Sequence, residues 1–350
     1  MNILGVDPQD YATLWQETQL AAKAADLGAV ERAMLWRERS KGDDWYEMPV
    51  PMDYFLSDPY YFGAGLNLRP AIGDVLQEFW KIDSRYELWV FIAGIGTGKS
   101  FSGALSIAYA LYLLSCVKRP ARYFSRFPGV SLSEDSEIVV LNASAAGAEQ
   151  ASKVVFGDVV ERIVNSPYFA DHYSPNDRVR SELLFPNRIR FSPGTSRWQS
   201  ALGWNVFGFI VDEAAFGVES RRADYVGELF KALNQRRRSR FGSLGFGALL
   251  TSPSHDQAFV ESLARQGTTW DNTMLVTRMS TWDAKSEISE GEKVFLFDRH
   301  PNRMRIVKTN LTYKKPGVVV DEDGNEINYR SEIETPLSLI EAGKGTEPSE

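Results

Sequence analysis

Residues 90–100 read VFIAGIGTGKS, an apolar run that stops at glycines and leads into a lysine and a hydroxyl residue. The pattern predicts a strand, a phosphate-binding loop and the start of a helix. Its spacing is Gly or Ala, four residues, then Gly-Lys-Ser/Thr, and Ala93, Gly94, Ile95, Gly96, Thr97, Gly98, Lys99 and Ser100 fill those places. Glycines at 94, 96 and 98 let the backbone turn its N–H groups inward around phosphate oxygens, where side chains would obstruct. Lys99 is then expected to reach the β- and γ-phosphates of ATP, and the Ser100 hydroxyl to ligate Mg²⁺. The helix expected over residues 101–117 is apolar on most sides. That places it against a sheet, with its N-terminus toward the phosphates.

Around this stretch lie 350 residues, enough for two domains or one large α/β domain with additions. With 43% hydrophobic and 24% charged residues, and no apolar run near the ~20 a membrane span needs, a soluble globular chain is expected. Residues 1–7 lack the basic start and long apolar stretch of a secretory signal, and Cys116 is the only cysteine, so a reducing, cytoplasmic setting is expected. His172, His255 and His300 are too scattered to suggest a zinc site. The net charge of −7 argues against a surface coated in basic groups for non-specific nucleic-acid binding. Local patches remain, at Arg236, Arg237, Arg238 and Arg240, and more loosely at Arg119, Arg122 and Arg126.

In chain order, residues 8–39 read as one or two helices interrupted near Gly28. Residues 45–70, rich in proline and aromatics, predict an ordered loop. Apolar residues Ile72, Val75, Leu76 and Phe79 at helical spacing predict a helix over 71–82. Beyond the phosphate loop, strands are expected at 138–141, 206–211, 246–250 and 273–276, with helices at 145–164, 225–233 and 257–265. Residues 183–185 and 188–191 read as a hairpin or two short strands. Strands alternating with helices from 88 to 280 are the pattern of a parallel sheet covered on both faces.

The second chemical element is FIVDEAAF, where Asp212 and Glu213 close an apolar strand. Acids there reach the crevice at the carboxyl edge of the sheet, facing the phosphate loop. Asp212 is expected to hold Mg²⁺ through water, and Glu213 to orient and deprotonate the attacking water. The extra glutamate favours ATP hydrolysis coupled to mechanical work over phosphorylation of a small molecule. In LLTSPS, Thr251 and Ser252 end the next strand, where hydroxyls can sense the γ-phosphate.

Taken in order, AGIGTGKS, VVLNAS, GWNVFGFIVDEAAF, LLTSPS and RMSTWDAK resemble the ATPase part of large terminase subunits, the DNA-packaging motors of tailed bacteriophages. The resemblance covers residues 66–285 by motif order. It implies an α/β, additional-strand (RecA-like) P-loop NTPase with a mostly parallel sheet and helices on both faces. It further implies translocation of double-stranded DNA by a homo-oligomeric ring in the host cell cytoplasm, docked on a portal protein and served by a small terminase subunit. Three places depart from the family pattern. The loop interior holds no arginine, Leu202-Gly203 stands where Arg-Gly is common, and Ala71 and Ile72 stand where an adenine-reading glutamine is expected. A transition-state cation must then come from elsewhere. Arg197 is the candidate, with Arg221, Arg222 and the cluster at 236–240 as alternatives.

The domain reading is an N-terminal helical and loop extension over 1–65, the ATPase domain over 66–285, and a β-rich appendage or linker over 286–350. Strands are expected at 305–313 and 317–328 around a DEDGNE turn. The metal-dependent nuclease domain that the resemblance also implies would need carboxylates clustered at strand ends, and Asp321, Glu322 and Asp323 read better as the turn. Nuclease activity is therefore not expected from these residues. Two rival readings are a helicase-like DNA-dependent ATPase, which needs a second RecA-like domain, and a regulatory nucleotide-binding protein without turnover. Glu213 separates the last from an ATPase, because a protein that only binds has no use for a positioned base.

Overall fold

A computed structural model describes residues 6–63, 66–94, 96–144, 155–176, 181–194, 203–214, 223–253, 259–269, 272–284, 293–298, 304–307, 312–315, 318–320, 326–328 and 332–336. The chain divides into two compact units, residues 1–279 and 280–350.

The first unit contains α1 (Pro8–Ala24), α2 (Ala29–Ser40), α3 (Met52–Ser57), α4 (Pro70–Trp80), β1 (Leu88–Ala93), α5 (Lys99–Cys116), α6 (Pro120–Phe124), β2 (Ile138–Ser144), α7 (Gly157–Asn165) and α8 (Pro167–His172). It continues with β3 (Leu183–Phe185), β4 (Ile189–Pro193), β5 (Val206–Asp212), α9 (Ala223–Phe241), β6 (Phe246–Thr251), α10 (Phe259–Thr269) and β7 (Met274–Met279). The sheet runs β3-β4-β2-β5-β6-β1-β7. Only β3 is antiparallel to its neighbour, so residues 183–193 are the hairpin form of the expected pair. One strand, β6, stands between β1 and β5. This inserted strand makes the sheet the additional-strand, RecA-like kind.

Every residue of β1, β2, β5 and β6 is buried, as expected for parallel strands covered on both faces. Side chains alternate between faces along a strand. Leu88, Val90, Ile92, Phe209, Val211 and Leu249 pack with Val226, Leu229 and Leu233 of α9 and Val260 and Ala264 of α10. The opposite face meets α5, where a Cβ added to Gly103 would approach Leu250 Cδ1 to 2.6 Å and Ile210 Cδ1 to 3.5 Å. It also meets α4, whose Phe79 ring lies 5.9 Å from that of Trp89. Helix α5 is buried from Ser102 to Cys116, in line with its all-round apolar sequence.

Residues 45–70 carry a helix, α3, within what the composition suggested was loop. The segment is fixed to α5 by buried hydrogen bonds: Tyr109 Oη donates to the Val50 carbonyl (2.8 Å), Val50 N–H to Tyr112 Oη (3.0 Å), and Tyr112 Oη to Glu47 Oε1 (2.9 Å). Helices α1 and α2 close over it, with Tyr11 Oη donating to the Pro49 carbonyl and Trp36 Nε1 to that of Met48. Among the described residues no helix is long and apolar enough to cross a membrane.

Helix α9 extends well past the expected end at 233. The arginines at 236–240 therefore lie within a helix, and their partners lie within the fold. Arg237 is fully buried, giving Nη2 to Glu87 Oε2 (2.9 Å) and Nη1 to the Gly245 carbonyl (2.8 Å). Arg236 donates to the Trp204 carbonyl (3.1 Å) and Arg240 to that of Ser131 (3.2 Å), while Arg238 lies 3.6 Å from Glu87. A cluster that reads as a basic patch is largely consumed in holding α9 against the sheet.

In the second unit, α11 (Thr281–Ala284) precedes β8 (Lys293–Asp298), β9 (Met304–Val307), β10 (Thr312–Lys315), β11 (Val318–Val320), β12 (Glu326–Asn328) and β13 (Glu332–Pro336). They form two antiparallel three-stranded sheets, β10-β11-β12 and β13-β8-β9. The C-terminal segment is thus β-rich, as expected. The turn at 321–325 lies outside the described residues, although Val320 and Glu326 on either side of it are paired.

Candidate functional site

The parallel strands all point their carboxyl ends to one edge, where Ala93, Ser144, Asp212 and Thr251 are the last residues of β1, β2, β5 and β6. The chain leaves β1 at Gly94, whose N–H donates to the Met279 carbonyl (3.0 Å). It then curls through Gly96 (φ 72) and Gly98 (φ 102), both left-handed, a conformation that side chains disfavour. Gly98 caps α5 with no side-chain acceptor, which leaves first-turn N–H groups for a ligand.

Within the loop, donors converge on one atom. The Gly94 carbonyl oxygen accepts from Lys99 Nζ (2.9 Å), Thr97 Oγ1 (2.9 Å) and the Thr97 N–H (3.4 Å). Lys99 Nζ also donates to the Ala93 carbonyl (2.9 Å). An ammonium, a hydroxyl and a backbone N–H around one oxygen are the donor set a phosphate oxygen requires, so the residues fit a phosphate. Burial pushes the Lys99 ammonium below its usual range, and Glu213 and Asp212 act the other way.

Across the edge, Ser100 Oγ donates to Asp212 Oδ2 (2.7 Å), and the Glu213 N–H to Asp212 Oδ1 (2.9 Å). Burial raises the Asp212 carboxyl above the ordinary range, opposed by these two hydrogen bonds and then by Lys99. Burial also raises Glu213, with the neighbouring Asp212 charge adding to it and Lys99 opposing. Thr251, the last residue of β6, and Ser252 after it are buried, and Thr251 pairs with Ile92 of β1 in register. The structure therefore brings Lys99, Ser100, Asp212, Glu213 and Thr251 to one edge. Ile95 and Arg197 lie outside the described residues, as do Arg221 and Arg222.

Two further residues adjoin the site, Ser144 at the end of the VVLNAS motif and Arg69, which stands in no motif. Ser144 closes β2 in register with Asp212. Arg69, at the start of α4, donates Nη1 to the Gly96 carbonyl (2.6 Å). An apolar cavity of about 320 Å³ between Tyr11, Trp15, Trp80 and Tyr109 lies instead toward the other end of α5.

A glycine loop with a buried lysine after one strand, and paired acids ending the next but one, define a P-loop domain. The family model described as the N-terminal P-loop domain of the uncharacterized protein MJ0330 matches residues 33–306, and the chain belongs to that family. No curated protein sequence matches the chain. Among solved structures it is similar to the large terminase ATPase domain of Thermus phage P74-26, with 17% identity over 64% of this chain and 91% of that one (TM-score 0.39). It is also similar to the HK97 bacteriophage large terminase, with 14% identity over 65% of this chain and 43% of that one (TM-score 0.45). A DEAD-box helicase, Mss116, aligns at 14% identity over 66% and 45% (TM-score 0.41). At these values the likenesses say nothing of activity.

Proposed function

We propose that the chain hydrolyses ATP and couples that reaction to movement of double-stranded DNA, as the ATPase part of a phage large terminase. The observation that supports hydrolysis is the meeting of Lys99, Ser100, Asp212 and a half-buried Glu213 at one edge of the sheet. Lys99 exchanges the Gly94 carbonyl for β- and γ-phosphate oxygens. Ser100 Oγ and Asp212 are the groups to hold Mg²⁺, directly or through water, as few protein ligands suffice when phosphates and waters complete the shell. Held there, the ion would supply positive charge against the charge that develops on the phosphoryl oxygens. Glu213 accepts a proton from water as the water oxygen attacks the γ-phosphorus, the bond to the bridging oxygen breaks, and ADP and phosphate leave. Thr251 and Ser252, beside the loop and the acids, are placed to respond when the γ-phosphate departs.

Coupling to DNA rests on the order of the motifs along the chain. The reading includes a homo-oligomeric ring with portal and small terminase partners, and Arg197 as the cation supplied across subunits. Steady-state ATP hydrolysis with and without linear double-stranded DNA tests it: DNA should raise turnover, and Lys99→Ala should abolish nucleotide binding and turnover together. Turnover indifferent to DNA would remove the motor reading, and normal turnover in Lys99→Ala would remove the site.

A further inference from the structure

Arg69 is fixed twice before it touches the phosphate loop. Pro70 at the first position of α4 keeps it extended (φ −69, ψ 133), and its carbonyl accepts the Ile72 and Gly73 N–H groups at 3.0 and 3.1 Å. Helix α4 is anchored in turn by buried Ile72 and Leu76 and by Trp80 Nε1 donating to Ser106 Oγ (3.2 Å). From this support the Arg69 guanidinium donates to the Gly96 carbonyl at 2.6 Å. One turn on, Ile72 Cγ1 lies 3.9 Å from where a Cβ of Gly98 would stand. Helix α4 thus braces Gly96 and Gly98, the two left-handed glycines of the loop.

Peptide geometry gives the brace a direction. Across a trans peptide, the carbonyl of one residue and the N–H of the next point opposite ways. Holding the Gly96 carbonyl outward therefore turns the Thr97 N–H inward, where it meets the Gly94 carbonyl oxygen beside Lys99 Nζ. Without that hold, glycine at 96 leaves the peptide plane free to rotate.

We propose that Arg69 is a positioning residue of the phosphate loop, holding the Gly96 carbonyl so that the loop presents its N–H groups to the phosphates of a nucleoside di- or triphosphate. It acts on nucleotide affinity more than on the chemical step. The inference rests on the nucleotide-binding reading above and adds a residue 27 positions upstream of Gly96.

The test is equilibrium binding of a fluorescent ATP analogue and of ADP, each with Mg²⁺, to the full chain, alongside steady-state hydrolysis. Arg69→Ala should weaken both ligands by about tenfold, the scale of one lost hydrogen bond from a charged donor. KM should rise by more than kcat falls, and the melting temperature without ligand should stay near that of the unaltered chain. Arg69→Lys, which keeps a charged donor, should recover part of the loss. Equal affinity in Arg69→Ala, with binding lost in Lys99→Ala, would overturn the role of Arg69 and leave the site standing. A fall confined to kcat would overturn it too, by moving Arg69 to the chemical step. An unaltered chain that binds neither nucleotide would overturn the nucleotide reading itself.

Discussion

Glu213 sits at φ 55, in the left-handed region that a residue with a Cβ enters rarely. The hydrogen bond from its N–H to Asp212 offsets part of a strain on the order of 1 kcal/mol. The turn swings the chain off β5 directly after Asp212, so two adjacent acids occupy different surroundings. Changing Glu213 to Gln keeps shape and removes the proton acceptor, so ATP should still bind while turnover falls by ~10²-fold or more. If binding is lost along with turnover, the residue is structural. The raised Glu213 carboxyl also fixes the acid side of the rate profile. A base must be unprotonated, so kcat should fall as pH drops through a value above the ~4.3 of a free glutamate. An acid limb at the ordinary carboxylate position would count against Glu213 as the base. Lys99, Ser100, Asp212 and Glu213 were legible because each stands in a contiguous motif at a strand end. Arg69 was not, since its importance lies in one contact with a backbone atom that only the folded chain supplies.

Two elements carry tests of packing. On β5, a Cβ added to Gly208 would meet Phe246 Cε1 at 1.8 Å, so the Phe246 ring of β6 occupies the space beside the strand that ends in the acids. Gly208→Ala must displace that ring, and overpacking of this kind costs ~1–3 kcal/mol, read as a lowered midpoint in urea. An unchanged midpoint would mean the ring relocates freely. The segment between α2 and α3 places a different burden against α5 in Glu47, whose buried carboxyl is pushed up to about 7, chiefly by burial, against the Tyr112 hydroxyl and Arg37. A carboxyl raised on folding favours the folded state below its unfolded value, and that contribution is lost as pH rises toward 7. Glu47→Gln should therefore raise the melting temperature at pH 8, with the gain fading toward pH 5; equal gains at both would show that Glu47 folds ionised. Alternating β and α segments were readable from periodicity. The segment over residues 45–70 was not, because its proline and aromatic content signals a loop while Val50 and Glu47 are held by Tyr109 and Tyr112, neighbours one turn apart on a distant helix. Charge counting misjudged α9 for a related reason: Arg237 and Glu87 are partners only after the sheet forms.

At the scale of the whole molecule, the division at residue 279 has a direct consequence. A chain ending after Met279 contains the entire seven-stranded sheet and should fold and bind nucleotide by itself. Loss of binding in that fragment, at an unaltered far-ultraviolet circular dichroism spectrum, would assign the second unit a share in the site. If hydrolysis is completed between subunits, chains carrying Glu213→Gln mixed with chains carrying Arg197→Ala should recover turnover that neither has alone, because some interfaces pair an intact base with an intact finger. No recovery on mixing, and turnover per chain independent of concentration, would exclude a shared site. The loop itself adds a constraint on the timing of any such cycle. Lys99 Nζ, Thr97 Oγ1 and the Thr97 N–H all meet the Gly94 carbonyl, so a phosphate oxygen must take these donors from it and nucleotide enters by exchange. In rapid-mixing experiments the observed association rate should therefore level off as ATP is raised, at the rate with which that carbonyl turns away. In the proposed cycle the same carbonyl would take back Lys99 and Thr97 as ADP leaves, shielding the lysine between turnovers.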